Sequence, residues 1–531
     1  MIHTIVTAAA LALWLFATAA TGAVSPPPPP HDISSCLLSS GVKNFSLPVS
    51  PSYTPLLDSS IRYLRFKHSN IRKPAAVVLP TSKRDLQRAV LCARNSSLAI
   101  RVRSGGHSYE GLSYTTENHV PFVVIDLANL NRVRVHPGSS TVWAEAGVTT
   151  GELYHAIGRS SRTLAFPAGT CSTLGIGGHI SGGGVGLLSR KFGLAADNVL
   201  DAVLIDPSGN ALTRRTMHDD VFWAIRGGGG GSFGVVYSWK LRLVPVPDKV
   251  TAFRIDRTGP VEHIAGLIHR WQHVVPHLPD EFYLWTRIVF PGNLTMSVSG
   301  QVLGPKHLAM SVLNQAYPEL GLTESELSEV SWIESTARFA ELNSVADLAN
   351  REPGVGVYAK RKSDYAQTPI SSEDIIKILR YMSAGPTGGY IQLNPYGGAM
   401  ARIGSTATPF PHRAGYLYCI QYGMGWKAAD DGRGDGYMAW LREFYKFMAP
   451  HVSKNPRSAY VNYVDLDLGT NNWTDASGGV PYNAVDHAAS WGRRYFLHNF
   501  ARLVRAKTRL DPGNVFNNAQ SIPPLLGRAL G

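Results

Sequence analysis

The chain has 531 residues, carries 51 Lys and Arg against 38 Asp and Glu for a net charge of +13, and is only 17% charged. With 44% hydrophobic and 10% aromatic residues it is neither disordered nor fibrous, and its sparse charge argues against a dedicated nucleic-acid binder. Four cysteines, none in a Cys-x-x-Cys pair, are too few for a disulfide scaffold and predict no metal site.

Residues 5–20 form an apolar run too short for a comfortable membrane span. Small residues follow at Thr21-Gly22-Ala23, so residues 1–23 read as a cleaved secretory signal and the mature protein is expected to have no membrane span. Residues 24–70 form an N-terminal arm that opens with a stiff proline stalk at 26–30. Sequons at Asn44, Asn95, Asn293 and Asn472 fit an exported glycoprotein. Export permits disulfides. Pairing Cys36 with Cys92 would pin the arm to the body, worth about 4 kcal/mol in the chain-entropy model; even parity also allows Cys171 with Cys419.

From Thr81, Leu86, Ala89, Val90 and Ala93 fall at helical spacing. Residues 98–102 and 122–127 read as strands, the second central. Pro137-Gly138-Ser139-Ser140 marks a hairpin, and Thr149 with Glu152 a capping box. The alternation stops at Pro245-Val246-Pro247-Asp248, which sets a domain over 71–247. Residues 248–458 mix strands (282–289, 295–302, 415–422) with helical patterns, predicting an antiparallel sheet with helices on one side and an α+β class. Residues 486–509 read as one amphipathic helix, ended by Asp511-Pro512-Gly513.

Three glycine-rich stretches lie in the first domain: Arg103-Ser104-Gly105-Gly106-His107, residues 169–186, and residues 227–231. Glycine costs backbone entropy, and such runs expose N–H groups that can cradle a pyrophosphate, so together they point to a dinucleotide. Gly229, Gly231 and Gly234 satisfy G-x-G-x-x-G, but the order here is helix, loop, strand. A Rossmann fingerprint needs strand, loop, helix.

The stretches RSGGHSYEGLSY, GTCSTLGIGGHISGGGVGLLSRKFGLAADNVLDA and FWAIRGGGGGSFGVV, with the later YVNYVDLDLG and RLDPGNVFNNAQSIPP, closely resemble the plant berberine bridge enzyme-like flavoproteins. The resemblance covers nearly the whole mature chain. It implies a vanillyl-alcohol-oxidase-type (PCMH-type) FAD domain in two parts, a substrate domain, and a C-terminal segment over 459–531 that returns to the FAD domain. It implies FAD attached through His107 and Cys171. Arg103, Ser104, Gly105, Gly106, Ser108, Gly169, Thr170, Gly175, Gly177, Gly178, His179, Gly182, Gly183, Val235 and Asn462 are then expected around the cofactor. The family reaction passes a hydride to flavin N5 while a base takes a proton. Tyr463 is the first candidate base, with Tyr460, Tyr109 and Gln421 beside it.

Val185, Val464 and Cys419 depart from the family pattern at an aromatic, an arginine and a lysine position, which argues against the monolignol-type base machinery. Leu174 matches a position that gates oxygen, and its bulk implies a dehydrogenase-leaning enzyme. The resulting expectation is a secreted, monomeric FAD-linked oxidoreductase of a carbohydrate hemiacetal or a phenolic or allylic alcohol, taking a small molecule or oligosaccharide. An oxidative cyclase of an alkaloid and a low-turnover wall or defence protein, as among grass pollen allergens, are the alternatives. The scattered basic residues suggest at most weak association with acidic wall polysaccharide.

Overall fold

The computed structural model describes residues 32–117, 120–289, 294–352, 356–471, 473 and 479–525. The expected signal, the proline stalk, Asn293 and Asn472 lie outside the described residues. Asn44 and Asn95 are described, and both are exposed.

The first unit is built on two sheets. In the smaller, Phe122–Asp126 is buried along its whole length and pairs in parallel with Val77–Val78 on one side and Ala99–Arg103 on the other. A strand covered on both faces reads as the continuous apolar run seen at these positions. The helix Lys83–Asn95 lies against it, started by Ser82, whose side chain accepts the Asp85 N–H. Cys92 on that helix is bonded to Cys36 on the helix Ile33–Ser39, which ties the arm down. The second sheet has five antiparallel strands in the order Val133–His136, Thr141–Glu145, Val235–Arg242, Val199–Ile205, Ala211–Leu212. The expected capping box at Thr149 and Glu152 starts the helix Thr150–Ser160.

The second unit is a seven-stranded antiparallel sheet. Its order is Ser328–Val330, Val250–Thr258, Thr295–Val302, Phe282–Val289, Gly389–Pro395, Tyr418–Trp426, Tyr358–Ala366. The helices Val261–Val274, Ser372–Ser383 and Gly434–Phe447 supply apolar faces to its core. Trp271, for example, is fully buried and donates its indole N–H to the Leu284 carbonyl at 3.2 Å. Two elements differ from expectation. The strand expected over 415–422 starts at Tyr418 and runs to Trp426, because Gly415 turns at φ +82° and the ladder with Tyr358–Ala366 persists to Trp426. The helix expected over 486–509 is two helices, Ala484–Phe496 and Phe500–Leu510, broken where Leu497 takes φ +48°. The break folds Phe500 against Gly492, where a Cβ would come within 2.3 Å of the ring.

The C-terminal segment returns to the first unit. Lys507, fully buried, donates to Asp511 at 2.6 Å and to the carbonyls of Ser232 and Phe516. Arg101 donates to the Asn517 carbonyl at 2.7 Å.

A buried ionic network joins all three parts. Lys360 pairs with Glu110 of the first unit and, at 2.9 Å, with Asp465 of the C-terminal segment. Lys362 reaches the other oxygen of Asp465 at 2.6 Å and Asp467 at 2.8 Å. Arg65 completes Glu110 at 2.5 Å, and Arg442 completes Asp467 at 3.0 Å. Among the described residues no helix is long and apolar enough to cross a membrane.

Candidate active site

Between the glycine loops of the first unit and the open face of the seven-stranded sheet lies a cavity of about 730 Å³, within the usual range for cofactor and substrate sites. All three glycine stretches line it. Their backbones pack too tightly for side chains: a Cβ on Gly105 would lie 2.2 Å from the Gly175 nitrogen. Gly106, Gly229 and Gly231 adopt φ of +69°, +93° and +80°, which other residues rarely take. The N–H groups of Gly105 and Gly106 donate to no described residue, leaving donors turned loose in a cradle of bare backbone. That arrangement fits the pyrophosphate of a flavin dinucleotide.

His107 and Cys171 both line the cavity and meet at one side chain. The Thr173 hydroxyl lies 3.1 Å from His107 Nε2 and 3.6 Å from Cys171 Sγ. Arg62 also donates to this hydroxyl. Burial, then the Arg62 charge, push the His107 imidazole down to about 3, so it stands neutral. Cys171 is exposed. Imidazole and cysteine sulfur are the nucleophiles able to add to an oxidised flavin ring, and the fold brings one of each to a single edge of the cavity.

The expected cofactor residues divide into two groups. Ser104, Ser108, Gly169, Thr170, Gly175, Gly177, Gly178, His179, Val235 and Asn462 line the cavity, as does Leu174. Arg103, Gly182 and Gly183 do not. Arg103 is fully buried and spent on Asp126 and on the Leu56 and Leu57 carbonyls. Gly182 makes room for the Asn462 side chain, and Gly183 for Phe410. These three shape the loop and do not line the cavity. His179 is fixed as a neutral tautomer: Gly169 N–H donates to its Nε2 at 3.0 Å, and burial pushes it down to about 4.

All four candidates for the base line the cavity, in different states. Tyr460 is committed to structure: its oxygen accepts from Gly184 N–H, Val185 N–H and Asn462 Nδ2 at 3.1, 3.3 and 3.0 Å. Burial still pushes it up to about 12. Tyr463 stacks on Tyr109 with centroids 5.4 Å apart, and its hydroxyl has no hydrogen-bond partner among the described residues. Burial and the adjacent Tyr109 raise it well above the ordinary phenol. The Tyr109 oxygen accepts from Gln421 Nε2 at 2.6 Å, and Gln421 Oε1 in turn accepts from Tyr390 at 3.0 Å. Arg361 lies 5.4 Å from the Tyr109 ring centre. Burial and Tyr63 raise Tyr109, while Arg361 and the Gln421 bond oppose them. Cys419, two residues before Gln421, is a buried free thiol that burial keeps protonated.

The sequence analysis missed the sheet face that floors the cavity. Tyr283, Trp285 and Arg287 alternate on one strand and Tyr390, Gln392 and Asn394 on the next. Side chains at i, i+2 and i+4 share a face, so this polar and aromatic alternation was the available signal. Gly423 was missed as well. It pairs with both Tyr390 and Arg361, and a Cβ there would lie 2.1 Å from the Tyr390 ring. Its bare backbone lets Tyr390 lie across the strand toward Gln421.

Family models described as "FAD binding domain" and "Berberine and berberine like" match residues 74–214 and 459–523. Berberine bridge enzyme-like D-1 of Nicotiana tabacum is 48% identical over 523 residues, covering 93% of this chain and 92% of the relative. Reticuline oxidase of Eschscholzia californica is 46% identical over 503 residues, covering 93% and 92%. The solved berberine bridge enzyme of Eschscholzia californica superposes with a TM-score of 0.91 at 46% identity, over 94% of this chain and 100% of that one. A Phl p 4 variant described as a glucose oxidase superposes at 0.88 with 39% identity, over 93% and 100%.

Two buried imidazoles besides His107 contribute to a stability signature. His412 donates from Nε2 to the Tyr495 carbonyl at 3.1 Å, and burial pushes it down to about 3, as it pushes His179 to about 4. Both titrate near 6.5 when unfolded. Below that pH the unfolded chain binds protons that the folded protein refuses, so stability present above 6.5 is lost as pH falls toward 4. The urea midpoint should fall over this window. In His412→Gln the dependence should be shallower by one proton, about 1.4 kcal/mol per pH unit; an unchanged slope would contradict the assignment.

Proposed function

The chain belongs to the berberine bridge enzyme-like family of FAD-dependent oxidoreductases, and from that premise we propose that it oxidises an alcohol on a flavin tethered twice, with Tyr109 taking the hydroxyl proton. The observation that carries this reading is the Gln421–Tyr109 hydrogen bond, beside Arg361 and in the same cavity as His107 and Cys171.

His107 and Cys171 would hold the cofactor at one edge, and the bare N–H groups of Gly105 and Gly106 would receive its pyrophosphate. The flavin, when bound, supplies a two-electron acceptor. The protein supplies position, a dry site and a proton acceptor. Tyr109 is favoured over Tyr463 because its oxygen accepts an N–H bond and a guanidinium lies over its ring; both act against burial and stabilise the phenolate, formed by prior loss of the phenol proton, that then takes the proton of the substrate hydroxyl. Gln421 is held in this orientation by Tyr390. Tyr463 stacks on Tyr109 and holds its plane. Tyr460 and Asn462 clamp the glycine loop at Gly184 and His179. Arginines in the cavity disfavour a protonated amine, so a carbohydrate hemiacetal or a neutral alcohol is a better substrate than an alkaloid. Leu174 beside Cys171 narrows the approach of oxygen and favours another electron acceptor. Export through residues 1–23 is supported by the exposed sequons at Asn44 and Asn95 and by the Cys36–Cys92 disulfide.

Three measurements test these roles. Acid precipitation of the yellow protein should leave flavin in the pellet; His107→Ala should retain it through Cys171, and the double variant with Cys171→Ala should release it. Flavin that extracts freely from the wild type sinks the tethering. In anaerobic mixing with a donor alcohol, Tyr109→Phe should slow flavin reduction by about 100-fold or more and abolish its rise with pH. A larger loss in Tyr463→Phe would move the base there. In air-saturated buffer the reduced enzyme should reoxidise slowly and Leu174→Val should speed this by about tenfold; equal rates would remove Leu174 from the oxygen path.

A further inference from the structure

Four of the chain's 18 histidines fall within residues 263–277, on or just after the helix Val261–Val274. That helix packs Ile264, Leu267, Ile268 and Trp271 into the core. Its other side faces outward, where Gly266 and His273 are exposed and His269 is half-buried. None of these residues lines the cavity. The missing Cys-x-x-Cys pair spoke only to thiolate ligands, and imidazole is a separate class of donor.

His269 and His273 are four residues apart, a spacing that sets one side chain a turn above the other. Their rings are in contact, with centres 4.6 Å apart and planes tilted by 50°. Two imidazoles that share one metal at about 2.0 Å, in adjacent positions about 90° apart, have ring centres about 4.5 Å apart. The pair therefore already has the spacing of a chelate. His273 Nδ1 lies 2.7 Å from the His269 carbonyl oxygen. A carbonyl only accepts, so Nδ1 carries the proton and the Nε2 lone pair is left for a ligand. Metal-bound histidines are commonly oriented in this way.

Burial, then the neighbouring His273, push the His269 ring below its ordinary value, so protons compete weakly for it at neutral pH. Neither ring nitrogen of His269, nor Nε2 of His273, has a hydrogen-bond partner among the described residues. A Cβ on Gly266, one turn earlier, would meet no atom within 4 Å, which leaves the approach open to a hydrated ion. Arg270, the cation next to the pair, is answered by Glu319 at 3.5 Å and donates to the Ala316 carbonyl. His277 is also four residues beyond His273, but the α-helix ends at Val274 and Pro276 carries it into a tighter turn. Among the described residues no group of three His, Cys, Asp or Glu gathers, so water would complete the coordination.

We propose that His269 and His273 form a surface site for a divalent transition metal, held by two imidazole nitrogens and completed by water. Cu2+, which favours tetragonal nitrogen and oxygen sites, binds more tightly than Ni2+ or Zn2+, and the oxygen-seeking Ca2+ and Mg2+ do not bind. The site is separate from the cavity and stands whether or not the alcohol oxidation does.

The test is titration of the tag-free, flavin-loaded protein with Cu2+ in a non-coordinating buffer, followed by calorimetry and electron paramagnetic resonance. The wild type should show a tetragonal Cu2+ signal split by two nitrogens. His269→Ala and His273→Ala should each weaken Cu2+ binding by about tenfold or more, whereas His263→Ala and His277→Ala should leave it unchanged. Saturating Cu2+ should raise the melting temperature of the wild type and not of His273→Ala, because the folded helix holds the pair in register. Retained flavin absorbance and a wild-type melting temperature without metal show that each variant is folded. Wild-type affinity in both single variants, or a full two-nitrogen signal in the double variant, overturns the site. An equal loss in His263→Ala or His277→Ala also overturns it, as does displacement of Cu2+ by an equal concentration of Ca2+.

Discussion

The bridge from Glu110 through Lys360 and Asp465 to Lys362 is the constraint on which the site depends. These residues come from the flavin unit, the last strand of the seven-stranded sheet and the C-terminal segment, and all are nearly excluded from water. Burial opposes the charge on Lys360, and Glu110, Asp465 and Asp467 outweigh it. A buried pair gains little over an apolar one, but removing one partner strands a charge at a cost of about 3–5 kcal/mol. The network therefore enforces one mutual placement of three segments. Tyr109 precedes Glu110, Tyr463 lies two residues before Asp465, and Arg361 sits between the two lysines. Because alternate residues of a strand face opposite ways, the lysines lock the network while Arg361 faces the cavity.

A second constraint acts across the cavity. The glycine loops approach each other closely enough to exclude side chains, and Tyr460 with Asn462 closes them from the C-terminal side. The result is a wall of backbone donors facing a floor of aromatic, amide and guanidinium groups. Each surface is incomplete alone: the wall lacks a proton acceptor with tuned neighbours, and the floor lacks anywhere to place a dinucleotide.

Much of the fold was legible in local pattern. The helix at Lys83–Asn95, the capping box at Thr149, the hairpin at Pro137 and the α+β division all follow from periodicity and turn chemistry. The break at Leu497 was not, because the apolar face continues unbroken from Trp491 to Val504, and only the fit of Phe500 against Gly492 divides it. The strand through Tyr418–Trp426 extended beyond its apparent end because its ladder partners, not its own residues, set its length.

The site divides in the same way. The glycine runs pointed to a dinucleotide, because such a ligand needs bare backbone, whereas His107 and Cys171 were named as tethers only through the family resemblance of the motifs around them. The resemblance also nominated Tyr109, Tyr460 and Tyr463, all of which reach the cavity. Only the tertiary structure set their different surroundings. Gln421, Arg361 and Gly184 are far from Tyr109 and Tyr460 in the chain, yet they determine which phenol is bonded to backbone and which is set beside a cation. Likewise, whether a lysine or an arginine on the Tyr358–Ala366 strand is neutralised or left as a free cation depends on acids brought in from other segments. Residue type and local period are properties of the chain; charge state and counter-ion are properties of the neighbourhood, which exists only once the three segments have met.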